Sequence, residues 1–191
     1  MECFIVNKNR RQGFTLIELM VTIAILAIVT VMAAPSMQAF VSRNIMRGIS
    51  ADFTLAMQRA RSEAISINQC VAMCMSSTGT RCVNPANNPG DNWGVGWIVV
   101  RLPACGSVGT GIQTPANILL VREGFNTRYQ LNTQSAVRSV VFNARGVSTL
   151  SGAGRFNLLD TGVSSNDSIN RTYCLDMAGR LRTLEYASTC S

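Results

Sequence analysis

The residues able to do chemistry in this chain are arginines, cysteines and one isolated glutamate; histidine is missing altogether. Lys8 is the only lysine, so the fourteen basic residues after position 13 are all arginines. A guanidinium is the side chain best suited to bidentate contact with phosphate and to stacking, although surfaces also carry arginine for solubility alone. Of the seven cysteines, Cys3 precedes Gly13 and six come after it: Cys70, Cys74, Cys82, Cys105, Cys174 and Cys190. An even count in an exported domain reads as up to three disulfides. About fifteen pairings are open to six cysteines, and sequence does not choose among them. Loop closeness favours Cys74 with Cys82 and Cys174 with Cys190, leaving Cys70 for Cys105. Zinc competes for such residues, but no C-x-x-C pair exists and no histidine can complete a site. Lack of histidine also removes the commonest general base and excludes a Ser-His or Cys-His hydrolase. With no paired acidic site either, the chain reads as a protein without enzymatic activity, cofactor or metal.

The glutamate stands in an unusual place. From Phe14 to Ala34 run twenty-one residues in which Glu18 is the only ionisable side chain. At about 1.5 Å per helical residue that length spans a hydrocarbon core of roughly 30 Å. Lys8, Arg10 and Arg11 lie just upstream, and positive charge before an apolar span keeps that end in the cytoplasm, so the chain beyond residue 34 is expected to be exported. A secretory signal peptide would have a shorter apolar run, about 7 to 15 residues, ending in a small-residue cleavage site. A plain anchor would not account for Glu18, because a carboxylate within a bilayer costs roughly 2.5 kcal/mol or more on insertion scales.

Beyond the apolar segment the periodicity stays helical. Met37, Val41, Ile45, Ile49, Phe53 and Met57 recur every fourth residue, with Ala56, Ala60 and Ala64 beside them, which predicts one helix over 14–67 with a stripe facing a sheet. Arg43, Arg47, Arg59 and Arg61 lie mostly off that stripe. Gly48 weakens the helix locally by about 1 kcal/mol. After Asn68 the pattern changes to short strands between turn residues. Strands are expected at Cys70 to Met75, Gly96 to Val100, Ile118 to Arg122, Val137 to Phe142, Arg155 to Leu159, Thr172 to Met177 and Leu181 to Tyr186. Val83 to Asn92 and Pro103 to Pro115 read as loops, and the glycines of the second lack phosphate-loop spacing. The expected fold is α+β, a long N-terminal helix against an antiparallel sheet or two small sheets over 68–191.

Basic residues, Gly13, then Phe14-Thr15-Leu16-Ile17-Glu18 and an unbroken apolar run resemble the processing and methylation motif of type IV pilins and type II secretion pseudopilins. The resemblance implies a type IV pilin fold, with residues 1–13 a leader cleaved after Gly13 by a prepilin peptidase and N-methylation of Phe14. Glu18 then pairs with the N-terminal ammonium of a neighbouring pilin in the fibre, a register device because either charge buried alone is costly. Pro35 falls where these pilins carry a helix-kinking proline. Loss of the leader would leave 178 of 191 residues and lower the net charge from +7 to +5. The implied location is the inner membrane, crossed once by 14–34, before assembly, and the pilus, periplasm and cell surface afterwards.

The remaining chain is similar to the GspH/FimT group. Phe142-Asn143-Ala144-Arg145-Gly146 and the run Tyr173-Cys174-Leu175-Asp176-Met177-Ala178-Gly179-Arg180-Leu181-Arg182 resemble its C-terminal half, and Trp97 to Val100 with the Cys74 to Cys82 loop resemble its middle. FimT-type minor pilins of competent bacteria bind DNA through a Gly-Arg-x-Arg element, which Gly179-Arg180-Leu181-Arg182 matches residue by residue. Chemistry agrees with that carry-over. In an extended Arg-Leu-Arg, Arg180 and Arg182 share one side about 7 Å apart, near the spacing of successive phosphates. Gly179 suits a turn that tolerates positive φ. Arg171 lies at the base of the hairpin, and Arg145 and Arg155 extend the patch if their loops face the same way. The plainer alternative is a solvated strand face paired with Asp176 or Glu185. Few aromatics lie nearby, so the expected mode is weak, sequence-independent, salt-dependent contact with the phosphates of double-stranded DNA. The competing function is a structural or priming minor pilin, or a secretion pseudopilin, that binds no DNA.

Overall fold

The computed structural model describes residues 13–83, 91–106, 108–109, 111, 113–134, 136–150, 152–165 and 167–190. Residues 1–12 of the expected leader, most of the loop from Val83 to Asn92, and the side chain of Pro35 lie outside the described residues. A single helix, α1, runs Leu16–Ile67. The chain divides into two compact units, Met1–Val41 and Ser42–Ser191, whose boundary falls inside α1.

In the first unit the apolar side chains point outward on all sides: Leu16, Ile17, Leu19, Met20, Val21, Ile23, Ile25, Leu26, Ile28 and Val29 are all exposed. The Thr22 hydroxyl donates back to the Leu19 carbonyl at 2.8 Å, and Thr30 donates to those of Leu26 and Ala27 at 2.9 Å. Such bonds leave an apolar cylinder with its hydroxyls satisfied, which suits lipid or other helices. Glu18 forms no ion pair among the described residues. No single helix among the described residues is long and apolar enough to cross a membrane. Leu16–Val31 and Ser36–Ile67 meet the requirement of length and composition only together.

In the second unit the helix has a buried face made by Ser42, Met46, Ile49, Phe53, Ala56, Met57, Ala60 and Ala64. The expected stripe is therefore wrong at its start, where Met37, Val41 and Ile45 are exposed. A strict four-residue spacing advances about 40° too far at every step of a 3.6-residue helix, so such a stripe does not stay on one helix face.

Two four-stranded antiparallel sheets receive that face. The first has order β3-β2-β1-β5, with β1 Cys70–Met75, β2 Gly96–Leu102, β3 Ile118–Glu123 and β5 Ser139–Phe142. The second has order β4-β6-β7-β8, with β4 Tyr129–Thr133, β6 Gly154–Asp160, β7 Arg171–Leu175 and β8 Leu181–Glu185. Strand β4 was not among the expected strands. Its sequence Tyr-Gln-Leu-Asn-Thr does alternate, burying Tyr129, Leu131 and Thr133, but Asn is poor in strand propensity and the run is short.

Strand β1 is buried on both faces, which explains its unbroken apolar sequence. Val71, Met73 and Met75 join the main core with α1, whereas Cys70, Ala72 and Cys74 join a second cluster with Cys82, Ile98, Val100 and Leu102. Disulfides Cys70–Cys105 and Cys74–Cys82 fasten loops over that second face, and Cys174–Cys190 fastens the chain end to β7. Cys74–Cys82 and Cys174–Cys190 are the pairs favoured by loop closeness, and Cys70–Cys105 is the pair those two leave. Arginines on the first sheet reach acids of α1: Arg101 donates to Glu63 at 2.6 Å and Arg122 to Asp52 at 2.7 Å.

One buried charge ties the start of this helix segment to the second sheet. Asp160, wholly buried, accepts a bidentate pair from Arg128, at 2.7 Å to Oδ1 and 3.0 Å to Oδ2. It also accepts the Ser42 hydroxyl and, at 2.8 Å, the Gly162 N–H. Burial alone would push the carboxyl up, but the bonds from Arg128, Ser42 and Gly162 and the Arg128 charge outweigh it and hold Asp160 below its ordinary value. A carboxylate depressed in the folded state stabilises above its unfolded pKa, about 3.9, and loses that contribution as pH falls through the folded value. The expected outcome is a urea midpoint that is flat from pH 7 to about pH 5 and falls below about pH 4. Asp160→Asn should be less stable at pH 7 and show a shallower acid fall; an unchanged acid fall in that variant would remove Asp160 as its cause.

Candidate functional site

The turn between β7 and β8 begins at Asp176 and ends at Arg180. It is closed by Gly179 N–H to the Asp176 carbonyl and by Asp176 N–H to the Arg180 carbonyl, both 3.0 Å. Gly179 has φ +75°, and a Cβ there would lie 2.1 Å from the carbonyl oxygen of Gly146. Only glycine meets both conditions. Gly146 belongs to a second turn, Asn143 to Val147, capped by the Asn143 side chain, which accepts from Arg145 N–H at 2.9 Å and Val147 N–H at 3.1 Å. The two turns lie side by side: Ser148 N–H donates to the Met177 carbonyl at 3.0 Å, and its hydroxyl to the Asp176 carbonyl at 3.2 Å.

Arg61 of α1 fastens the pair. Its Nε donates to the Gly146 carbonyl at 3.1 Å and its Nη2 to the Ala178 carbonyl at 3.0 Å. A planar fork bridging two carbonyls fixes both turns relative to one helix. Sequence reasoning missed this residue; the available signal was an arginine four positions after the buried Met57, flanking the apolar stripe.

Of the expected arginines, Arg145 and Arg180 stand on these adjoining turns. Arg180 precedes β8 rather than lying within it, so an extended Arg-Leu-Arg is not what forms. Instead Arg180 folds back: its N–H and Nε donate to Asp176 Oδ1 at 2.8 Å and Oδ2 at 3.0 Å, while its side chain stays 71% exposed. The Asp176 carboxyl is held below its ordinary value, first by the Arg180 N–H and then, against a burial effect, by the Arg180 guanidinium and the charge of Arg182. Arg182 is exposed on β8 opposite Cys174, and Cys174 faces Arg155 on its other side. Arg155 and Arg182 thus share one face two strands apart, about 10 Å between backbones, and Arg155 donates to Gln134 at 3.0 Å.

Arg171 is the exception. It pairs with Glu185 at the far end of the hairpin and lies three residues from Cys174, hence on the opposite face, with Tyr173 and Leu175. Its guanidinium donates to the carbonyls of Ser168 and Asn170, the latter at 2.8 Å. The structure therefore groups Arg145, Arg155, Arg180 and Arg182 toward the turn end and sets Arg171 apart.

Comparison with known proteins adds to this geometry. The model of the prokaryotic N-terminal methylation motif matches residues 8–34. The model of type II transport protein GspH matches residues 50–179, ending one residue before Arg180. No curated protein matches the chain. Among solved structures, the type IV minor pilin FimU of Pseudomonas aeruginosa is similar, with TM-score 0.57 and 21% identity over 80% of this chain and 99% of that one. A second crystal form gives 0.54 and 20% over 76% and 99%. At such identity the likeness concerns fold.

Proposed function

The chain belongs to the GspH family of type IV pilin-like proteins, and we propose that it is a minor pilin that binds extracellular double-stranded DNA for uptake, through the paired turns bearing Arg145 and Arg180 together with Arg182 at the start of β8. One observation carries the reading: Arg61 holds two turns together at one end of the domain, so that an exposed arginine projects from each. Arg182 and Arg155 continue the positive charge along the neighbouring sheet face. Guanidinium groups exposed on turns suit phosphate contact without sequence preference. Asp176 orients Arg180 from one side and leaves most of its guanidinium exposed for a phosphate oxygen.

In this reading a prepilin peptidase removes 1–13, Phe14 is methylated, and 14–34 rests in the inner membrane until Glu18 pairs with a neighbouring pilin's ammonium. Copies in the fibre, or other basic pilins beside it, add avidity. A second reading has its own support in the Arg180–Asp176 pair, which already satisfies part of Arg180: the subunit would prime or join a pilus or secretion fibre without touching DNA.

The test is a titration of the Ser42–Ser191 unit with duplex DNA. Arg180→Ala and Arg182→Ala should each weaken binding, and together should reduce the slope of log K against log salt by about two units. Equal binding by the double variant would displace the site to other arginines. Arg171→Ala should have a smaller effect than either.

A further inference from the structure

Apart from the paired turns, the second unit carries another arginine cluster, and it lines a cavity. Arg43 and Arg47 on α1 and Arg171 on β7 surround about 320 Å³, with Met46, Ser50, Ser168 and Ile169 completing the wall. Arg43 and Arg47 lie one helical turn apart and so share a side of α1. Arg171 reaches the same space because it lies on the helix-facing side of β7 together with Tyr173. Neither Arg43 nor Arg47 forms an ion pair among the described residues. Asp167 and Glu185 line an adjoining cleft with Asn170 and Tyr186, which shares Ser168 and Arg171 with this cavity.

Three like charges around one concavity repel each other unless an anion sits between them. Arg171 is already positioned by its bonds to the Ser168 and Asn170 carbonyls and keeps other N–H groups to donate. Ser50 offers a hydroxyl at the wall and lies beside the buried Tyr173 hydroxyl, which makes no hydrogen bond of ordinary geometry. Several guanidinium forks and a hydroxyl are the donor set that binds a tetrahedral oxyanion.

We propose that the cavity of Arg43, Arg47, Ser50 and Arg171 binds a phosphate group carried on a small molecule. Its volume admits a phosphate with a glycerol-sized substituent. The chemistry is shared by a free phosphate ester and by the headgroup of a phospholipid, and Arg43 and Arg47 are the first cations after Arg11 in the chain. The site is independent of the DNA reading, since it lies on the opposite face of β7 from Arg182.

The experiment uses the full chain in a nonionic detergent, titrated calorimetrically with inorganic phosphate, glycerol 3-phosphate and dihexanoyl-phosphatidylglycerol. Saturable binding of at least one probe is expected, weakened about tenfold or more in Arg43→Gln/Arg47→Gln, whose side chains are exposed and whose loss spares the core. Arg171→Lys, which keeps the charge but not the fork, should weaken binding less. Binding of all three probes assigns a free phosphate ester as ligand, and binding of the lipid alone assigns a headgroup. Absence of saturable binding by every probe, or equal binding by the double variant, overturns the proposal. So does loss of phosphate binding in Arg180→Gln/Arg182→Gln with Arg43 and Arg47 intact.

Discussion

Replacing Gly179 by alanine is expected to destabilise the Ser42–Ser191 unit by about 3 kcal/mol and, in the proposed DNA-binding role, to weaken its affinity for duplex DNA. Two independent costs add. An alanine at φ +75° enters the left-handed region, worth roughly 1 to 2 kcal/mol. Its Cβ would also meet the Gly146 carbonyl oxygen at 2.1 Å, where the opposing atom is backbone and cannot swing aside, an overpacking cost of about 1 to 3 kcal/mol. Relief requires the two turns to separate, which breaks the Arg61 bonds to Gly146 and Ala178 and moves Arg180 away from Arg145. Urea unfolding with disulfides intact measures the first effect and DNA titration the second. Gly152→Ala is the control, since its Cβ would meet nothing within 4 Å, and it should stay within about 0.5 kcal/mol of wild type. A Gly179→Ala midpoint equal to that of the control would refute the close contact of the turns.

Phe53→Ala is expected to be the most damaging core substitution, at about 3 to 5 kcal/mol. Phe53 has no exposed surface and its ring meets both sheets: Trp97 at 5.8 Å edge-on from the first, Phe156 at 5.1 Å and Tyr173 at 5.3 Å from the second. Trp93, at 6.1 Å, completes the cage. Removal of this ring leaves a cavity between helix and sheets that large, mutually packed aromatics do not collapse to fill. Phe53→Leu keeps most of the volume and should cost distinctly less. The comparison is read from urea midpoints; a cost below about 1 kcal/mol for Phe53→Ala would mean that the sheets hold together without the helix.

These two residues also mark where the sequence was readable. Phe53, Met57, Ala60 and Ala64 announce the buried face because local periodicity and packing agree, and β1 announces itself through an apolar run ended by Ser76 to Thr80. Gly179 announces a turn, because few other residues tolerate one. The features that stayed hidden depend on distant pairs. Arg61 meets Gly146 and Ala178, 85 and 117 positions away, and no local pattern ties a helix arginine to two carbonyls. Arg180 reads as a strand residue until Asp176, four positions earlier, is seen to hold it by two bonds. Arg171 reads as part of the hairpin patch, but the alternation of β7 turns it toward α1, where Arg43 and Arg47 wait on a different element. The register of a strand, fixed by neighbours far along the chain, decides which arginines share a face.

In the proposed function the end of the domain holding Arg145, Arg180 and Arg182 meets the phosphate backbone, and that contact can be measured. It is tested most directly by the affinity of the Ser42–Ser191 unit for one duplex, measured at several salt concentrations beside the Arg180→Ala/Arg182→Ala variant. A linear fall of log K with log salt is expected for the wild type, with a slope shallower by about two units for the variant. Wild-type protein with no salt-dependent affinity for DNA would contradict it.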